Sequence, residues 1–363
     1  MGRSIPSRID SDKVGLYNSQ EFFIAEVKTY IKKVKNKTNL SAAEMEKVMS
    51  SIMGGQVSEE DLTDLLLALR EKGPSIEEIT SAAKVMRKFA IRIPTRHDLI
   101  LDTCGTGGDK KNTFNISTIV AFVVSGAGVV VAKHGNRAVS SSCGSADLLE
   151  ALGVNLNIEQ EHLSECLDEL GIAFLFAQKF HPAMKNVAHV RKQLGVETIF
   201  NVLGPLTNPA IATHQMLGVY DRSLLETMAN VLKNLGLEKA LVVQGSDGLD
   251  EVTLSGKTSI CELSDDKIRS YEIHPKDFGI AGASLETVKG GSLDKNLKIA
   301  KDILTGKIGP HRDIVILNAG CALYAAQAAK TIADGIQLAN KSIDSGKALE
   351  KLDALKEFTN SGN

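Results

Sequence analysis

Apolar residues recur at helical spacing along the first quarter of the chain. Met45, Val48, Met49 and Ile52 form one set, Leu62, Leu65, Leu66 and Leu69 a second, and Ile79, Ala82, Ala83 and Met86 a third. Spacing of i, i+3, i+4, i+7 gathers each set on one face of an amphipathic helix. A serine with an acid three positions later precedes each set: Ser41 with Glu44, Ser58 with Asp61, Ser75 with Glu78. Such pairs satisfy backbone donors left open at a helix start. The pattern predicts a small all-α domain over residues 21–95, after a polar, aperiodic stretch at 1–20 that reads as a flexible tail.

From residue 99 the pattern changes. Short apolar runs at 99–101, 129–131, 173–176, 216–220 and 240–243 alternate with helical spacing, which predicts an α/β domain with a mostly parallel central sheet flanked by helices. Runs at 258–263 and 268–273 predict an antiparallel hairpin at the sheet edge, and the alanine-rich stretch 313–358 predicts helices. Ligands of parallel sheets sit at the carboxyl ends of the strands. Two polar, glycine-rich segments fall there, after the first two runs.

The first segment is Asp102-Thr103-Cys104-Gly105-Thr106-Gly107-Gly108-Asp109, followed by Thr113-Phe114-Asn115-Ile116-Ser117-Thr118. Its glycines serve either a plain tight turn or a close backbone approach to a ligand. Asn115, Ser117 and Thr118 at a helix start favour the second, because backbone N–H groups there make an anion site. A P-loop is excluded, since Asp109 follows Gly108 where Lys-Ser/Thr is needed; the dinucleotide fingerprint is excluded by Lys110 at its third glycine. The second segment, from Lys133-His134-Gly135-Asn136-Arg137 through Ser140, Ser141 and Ser142 to Ser145, adds two cations and four hydroxyls. It too suits a polyanion.

Composition narrows the partners. Lys and Arg number 42 against 44 Asp and Glu, so a net charge of −2 gives no footprint for nucleic acid or an acidic membrane. The five cysteines, Cys104, Cys143, Cys166, Cys261 and Cys321, are scattered without zinc or redox spacing, which suits a reducing compartment. No secretory signal pattern opens the sequence, and a cytoplasmic location is expected. Residues 112–132 carry no charge, but Asn115, Ser117, Ser125 and the break at 126–128 predict helix, turn and strand rather than a membrane span. At 363 residues the chain can hold one large domain and a smaller one.

Gly-Thr-Gly-Gly-Asp at 105–109, Asn-x-Ser-Thr at 115–118 and Lys-His-Gly-Asn-Arg-x-x-Ser-Ser at 133–141 occur in this order. With the stretches 180–191, 200–209 (Phe-Asn-Val-Leu-Gly-Pro-Leu-Thr-Asn-Pro) and 247–251 (Asp-Gly-Leu-Asp-Glu), the chain resembles the anthranilate phosphoribosyltransferase family over about residues 40–359. The resemblance implies transfer of a phosphoribosyl group from phosphoribosyl pyrophosphate to anthranilate, in tryptophan biosynthesis. It implies that helices at about 180–202 complete the helical domain, one of them carrying His181 to Leu194. The α/β phosphoribosyl-binding domain would then comprise 96–179 and 203–363, with a hinge cleft between the two, and the helical domain would form a homodimer.

The same resemblance implies the site. Gly105, Gly108, Asp109, Thr113, Asn115, Ile116, Ser117, Thr118, Lys133, His134, Gly135 and Ser145 would contact the donor, and Asn136, Arg137, Ala138, Val139, Ser140 and Ser141 would close around its phosphates. Gly105, His134, Asn136 and Arg191 would hold anthranilate, with the planar Arg191 fork addressing its carboxylate. Ser117, Asp250 and Glu251 would hold Mg2+, as two ions. Adjacent acids in a glycine-flanked loop are ordinarily a solvated turn; the Asp-Gly-Leu-Asp-Glu setting favours the metal. No side chain is expected to act as general acid or base, and His134 is expected to orient. Three positions depart from the family pattern: Cys143 for serine, Glu197 for arginine and Gln244 for histidine. A pyrimidine nucleoside phosphorylase is the rival enzyme, but it would carry Lys-His-Ser where Asp102-Thr103-Cys104 stands. A non-catalytic, nucleic-acid-binding relative of the fold would need a basic surface.

Overall fold

The structure, a computed structural model, describes residues 26–138 and 143–361; the tail at 1–20 lies outside them. Two units emerge, one of the chain up to Ala82 with Ala183–Ile199, the other of Ala83–Pro182 with the chain from Phe200 onward.

The helical unit contains a helix at residues 26–35, then Ala42–Met53 and Glu59–Lys72, the start of Ile76–Phe89, and Lys185–Leu194. All three predicted apolar sets are buried, and all three serine boxes operate. The Ser41 N–H donates to Glu44 Oε2 at 2.7 Å, Ser58 Oγ accepts from the Asp61 N–H at 3.1 Å, and the Ser75 N–H donates to Glu78 Oε2 at 2.7 Å. Glu78 has a second task, because it is fully buried and also accepts from the Leu40 N–H at 2.9 Å and from Lys72 Nζ at 2.7 Å. A buried charge that is paired and hydrogen-bonded avoids the desolvation cost of an unpaired one.

The expected helix from His181 begins later, at Lys185. Pro182 is the cause: the residue before a proline is pushed out of the helical region, and His181 closes the short helix Ala177–Phe180 at φ −123°, ψ 63°. A 3-10 turn, Pro182–Met184, follows. Val187 and Val190 are buried, and Asn186 Nδ2 donates to the Met53 carbonyl at 2.8 Å, tying this late helix to Ala42–Met53.

The second unit is built on seven strands: β1 Leu101–Gly105, β2 Val131–Gly135, β3 Ile172–Phe176, β4 His214–Gly218, β5 Lys239–Gly245, β6 Thr258–Ser264 and β7 Lys267–Ile273. Their order is β3-β2-β1-β4-β5-β6-β7; the first five are parallel, and β6 and β7 add the predicted antiparallel hairpin. Helix Ile116–Gly126 is almost wholly buried and packs against the late helices Pro310–Ala325 and Lys347–Asn360. Residues 112–132 thus divide into helix and strand as expected, and among the described residues no helix is long and apolar enough to cross a membrane.

The first two strands are shifted from their prediction. The apolar runs at 99–101 and 129–131 lead into β1 and β2, whose bodies include Asp102, Thr103, Lys133 and His134. Polar residues hold buried strand positions here because each finds a partner: Asp102 Oδ1 accepts from the His134 N–H at 3.1 Å, and Lys133 Nζ donates to the Thr103 carbonyl at 2.5 Å. The chain after β1 leads to β2 and the chain after β4 leads to β5, on opposite sides. Between them opens the crevice where such sheets bind ligands.

Candidate active site

Gly105 and Gly218 end β1 and β4 and are partners in register. Both are glycine for a steric reason. A Cβ on Gly105 would lie 2.5 Å from Asp250 Oδ2, and one on Gly218 would lie 1.5 Å from the Asp250 carbonyl oxygen. The acidic loop therefore rests directly on the two strand ends. Asn318 secures it from behind, accepting from the Val252 N–H at 2.9 Å and donating to the Val252 carbonyl at 2.8 Å.

Beyond β1 the chain takes positive φ at Gly107, Gly108, Lys110 and Asn112. Turns of this kind direct successive N–H groups into a concavity suited to anions. Gly107 donates to Asp250 Oδ2 at 2.9 Å, and Asp109 Oδ1 accepts from the Lys111 N–H at 3.1 Å. Asn115 stands at the N-cap of the helix but does not cap it. Its Nδ2 reaches across to the Cys143 carbonyl at 2.9 Å. Thr113 forms a β-bridge with Lys289, Ile116 and Thr118 are buried, and Ser117 lies between bulk and core.

The second segment is folded onto itself. The Asn136 carbonyl accepts from Ser145 Oγ at 3.1 Å and from the Ala146 N–H at 3.2 Å. Asp147 Oδ2 accepts from the Ala138 and Gly144 N–H groups at 3.0 and 2.9 Å. Arg137 reaches Asp147 at 3.0 Å and Glu150 at 2.5 Å, so its guanidinium is engaged within the segment. Gly135 admits Ser145, whose Oγ would sit 2.3 Å from a Cβ there. Val139, Ser140 and Ser141 lie outside the described residues.

At the centre, Lys133 is buried and donates to Ser117 Oγ at 3.2 Å. Burial lowers its pKa, while Asp102, Cys104 and Glu251 act to raise it. Burial prevails, and the Lys133 pKa is lowered. Burial, then repulsion from Asp109, pushes the Asp250 carboxyl up to about 7. Glu251 is raised well above the usual range by burial and then by Asp250, with Lys133 and the Ser117 backbone opposing. One Asp109 oxygen, Oδ2, is buried without a hydrogen-bond partner. These features fit an oxygen-seeking divalent cation. Among the described residues no three His, Cys, Asp or Glu side chains form a ready cage, and magnesium takes only one or two protein carboxylates, completing its shell with water and phosphate.

The His134 and His181 rings lie 5.1 Å apart between centroids, tilted by 50°. Burial first, then His181, pushes His134 down to about 3, and burial pushes His181 down to about 4. Both are neutral imidazoles and weak bases at physiological pH, which suits orientation rather than proton transfer. Arg191, in the helical unit, is half-buried on Lys185–Leu194, and burial lowers its pKa. Of the three departures, Cys143 takes part in the site through its carbonyl; Gln244 pairs with Ser259 in the sheet and Glu197 lies in the helical unit.

Three site-forming residues were not singled out by sequence reasoning. Gly218 had a signal, a glycine at the carboxyl end of an apolar strand. Asn296 and Asn318 had none, being lone amides in helical stretches.

Residues 97–349 match the glycosyl transferase family, a/b domain, and residues 28–90 match the glycosyl transferase family, helical bundle domain. The anthranilate phosphoribosyltransferase of Petrotoga mobilis is 50% identical over 331 residues, covering 91% of this chain and 96% of that one. The chain belongs to the anthranilate phosphoribosyltransferase family. Its fold agrees with a crystal structure of the family's Thermus thermophilus member, at TM-score 0.87 and 42% identity over 91% of this chain and 99% of that one. The Saccharomyces cerevisiae member, in complex with phosphoribosyl pyrophosphate and Mg, is 30% identical with TM-score 0.86 over 93% and 98% of the two chains.

Because the family's acidic loop here rests on Gly218, Gly218→Ala is expected to destabilise the protein by about 1–3 kcal/mol, the usual range for overpacking. It should also speed hydrogen exchange at the Gly107 amide. Urea unfolding and exchange mass spectrometry check this; an unchanged midpoint with unchanged protection would mean that the loop does not depend on the contact.

Proposed function

We infer that the chain catalyses magnesium-dependent transfer of the phosphoribosyl group from phosphoribosyl pyrophosphate to the amine of anthranilate, giving N-(5-phosphoribosyl)anthranilate and pyrophosphate, a step of tryptophan biosynthesis. The observation that carries this reading is the excess of buried carboxylate over buried cation at the ends of β1 and β4, beside two segments rich in N–H donors. A neutral nucleoside would give those carboxylates no task.

The bond from the sugar C1 to the pyrophosphate oxygen breaks with oxocarbenium character, while the amine nitrogen bonds to C1 and gives up a proton to the departing pyrophosphate. Backbone donors around Gly105–Asp109 and Asn115–Thr118, with Lys133 behind them, hold the phosphates. The segment Asn136–Ser141 closes over them, with Gly135 and Ser145 at its ends. Asp250, Glu251 and Ser117 hold two magnesium ions. Bound magnesium offsets the charge gathering on the departing pyrophosphate. Arg191 fixes the anthranilate carboxylate, and Gly105, His134 and Asn136 face the same substrate. A neutral aromatic amine is already nucleophilic, so proximity and leaving-group stabilisation suffice without a side-chain base.

The helical unit, which leaves Leu67 and Val196 exposed, supports a homodimer, and five buried free thiols suit the cytosol. Light scattering should give twice the chain mass; a monomer at micromolar concentration would exclude the dimer, and recovery in an exported cell fraction would exclude the location.

In the double variant Asp250→Asn with Glu251→Gln, turnover followed by anthranilate fluorescence should fall by about hundredfold or more. The melting temperature should hold or rise, because buried like charges are removed. Magnesium titration in the presence of donor should count two ions in the wild type and fewer in the variant; near-normal turnover at saturating magnesium contradicts the assignment. Arg191→Ala should raise KM for anthranilate about tenfold, the scale of one charge-assisted contact. Equal rises for both substrates would remove Arg191 from the anthranilate site.

A further inference from the structure

Asn296 lies in the first turn of helix Leu293–Leu304, 181 residues along the chain from Asn115, yet it is buried against the first glycine-rich segment. Its Nδ2 donates to Asn115 Oδ1 at 3.2 Å, and its Oδ1 accepts from the Gly291 N–H at 3.0 Å. Asn115 passes the connection on, donating from Nδ2 to the Cys143 carbonyl at 2.9 Å. The amide of Asn115 is therefore held at both ends. An amide in that state cannot flip without placing oxygen against oxygen on one side and N–H against N–H on the other.

The surroundings fix Asn296 equally well. Residue 289 bridges to Thr113, and the Gly290 N–H donates to the Asn112 carbonyl at 2.9 Å. A Cβ on Gly290 would lie 2.7 Å from Asn296 Oδ1 and 2.8 Å from both the Phe114 nitrogen and the Thr113 carbonyl oxygen. Three stretches, around Thr113–Asn115, Cys143 and Gly290–Asn296, are thus joined through two side-chain amides.

We propose that Asn296 is a positioning residue for the phosphoribosyl donor, acting through Asn115 to hold the two phosphate segments in mutual register. The proposal rests on the function inferred above. Asn296 touches no reacting atom in this scheme. It sets which face of the Asn115 amide remains available and keeps the first segment aligned with the second.

A double-mutant cycle tests it. Asn296→Ala should raise KM and Kd for phosphoribosyl pyrophosphate about tenfold, the scale of a lost buried hydrogen bond, with KM for anthranilate close to wild type. In an Asn115→Ala background the same change should add little. Asn296→Ser, which leaves a shorter oxygen near Gly291, replaces Asn296→Ala in the cycle if that variant does not fold. Additive effects in the cycle, or equal rises for the two substrates, would overturn the role. Wild-type protein that neither binds the donor nor consumes anthranilate would instead overturn the functional reading itself.

Discussion

The buried charge around Lys133 is the constraint on which the α/β unit depends. Asp102, Asp109, Asp250 and Glu251 all interact electrostatically across this region, and Lys133 is the buried ammonium among them. Such a collection is unfavourable in a medium of low polarisability. The fold tolerates it by fixing every element that carries an acid: β1 through the pairing of Asp102 with the His134 N–H, the acidic loop through Asn318, and the glycine-rich turn through the Gly107 donation to Asp250. Rigidity on this scale suits the capture of a charged ligand, because the cost of ordering these groups has been met during folding.

Glycine placement translates that electrostatic arrangement into geometry. The strand ends at Gly105 and Gly218 let one carboxylate-bearing loop lie against the sheet, and Gly135 lets the second helix start close on β2. These are different uses of the same residue: the turn at Gly107 and Gly108 needs left-handed backbone, whereas the strand ends need only empty space.

Much of this was legible in the sequence, for identifiable reasons. The helical unit announces itself because three serine boxes and three apolar stripes agree with each other, which is the consistency expected of a well-specified segment. The parallel sheet follows from alternation of apolar runs with helical spacing. The starts of β1 and β2 were misread because hydrophobic runs mark the part of a strand that faces the core; Asp102 and Lys133 belong to the part that faces the site, where burial is secured by hydrogen bonds. Arg137 reads in sequence as a cation for a polyanion, but Asp147 and Glu150, one turn apart on helix Ser145–Ala151, both engage it, a fact of three-dimensional closure. The amides of Asn296 and Asn318 act on backbone and side chains far away in sequence, and no local spacing encodes them.

The helical unit is interrupted in sequence: its first part ends at Ala82 and its remainder is Ala183–Ile199. On a ribosome adding about 5–20 residues per second, the early helices wait several seconds before Lys185–Leu194 exists to bring Asn186 to the Met53 carbonyl. During that interval β1, β2 and β3 are all synthesised, while β4, the neighbour that completes the other flank of β1, is still to come. Birth order and assembly order therefore differ, and neither unit can reach its finished state until translation has passed the middle of the message.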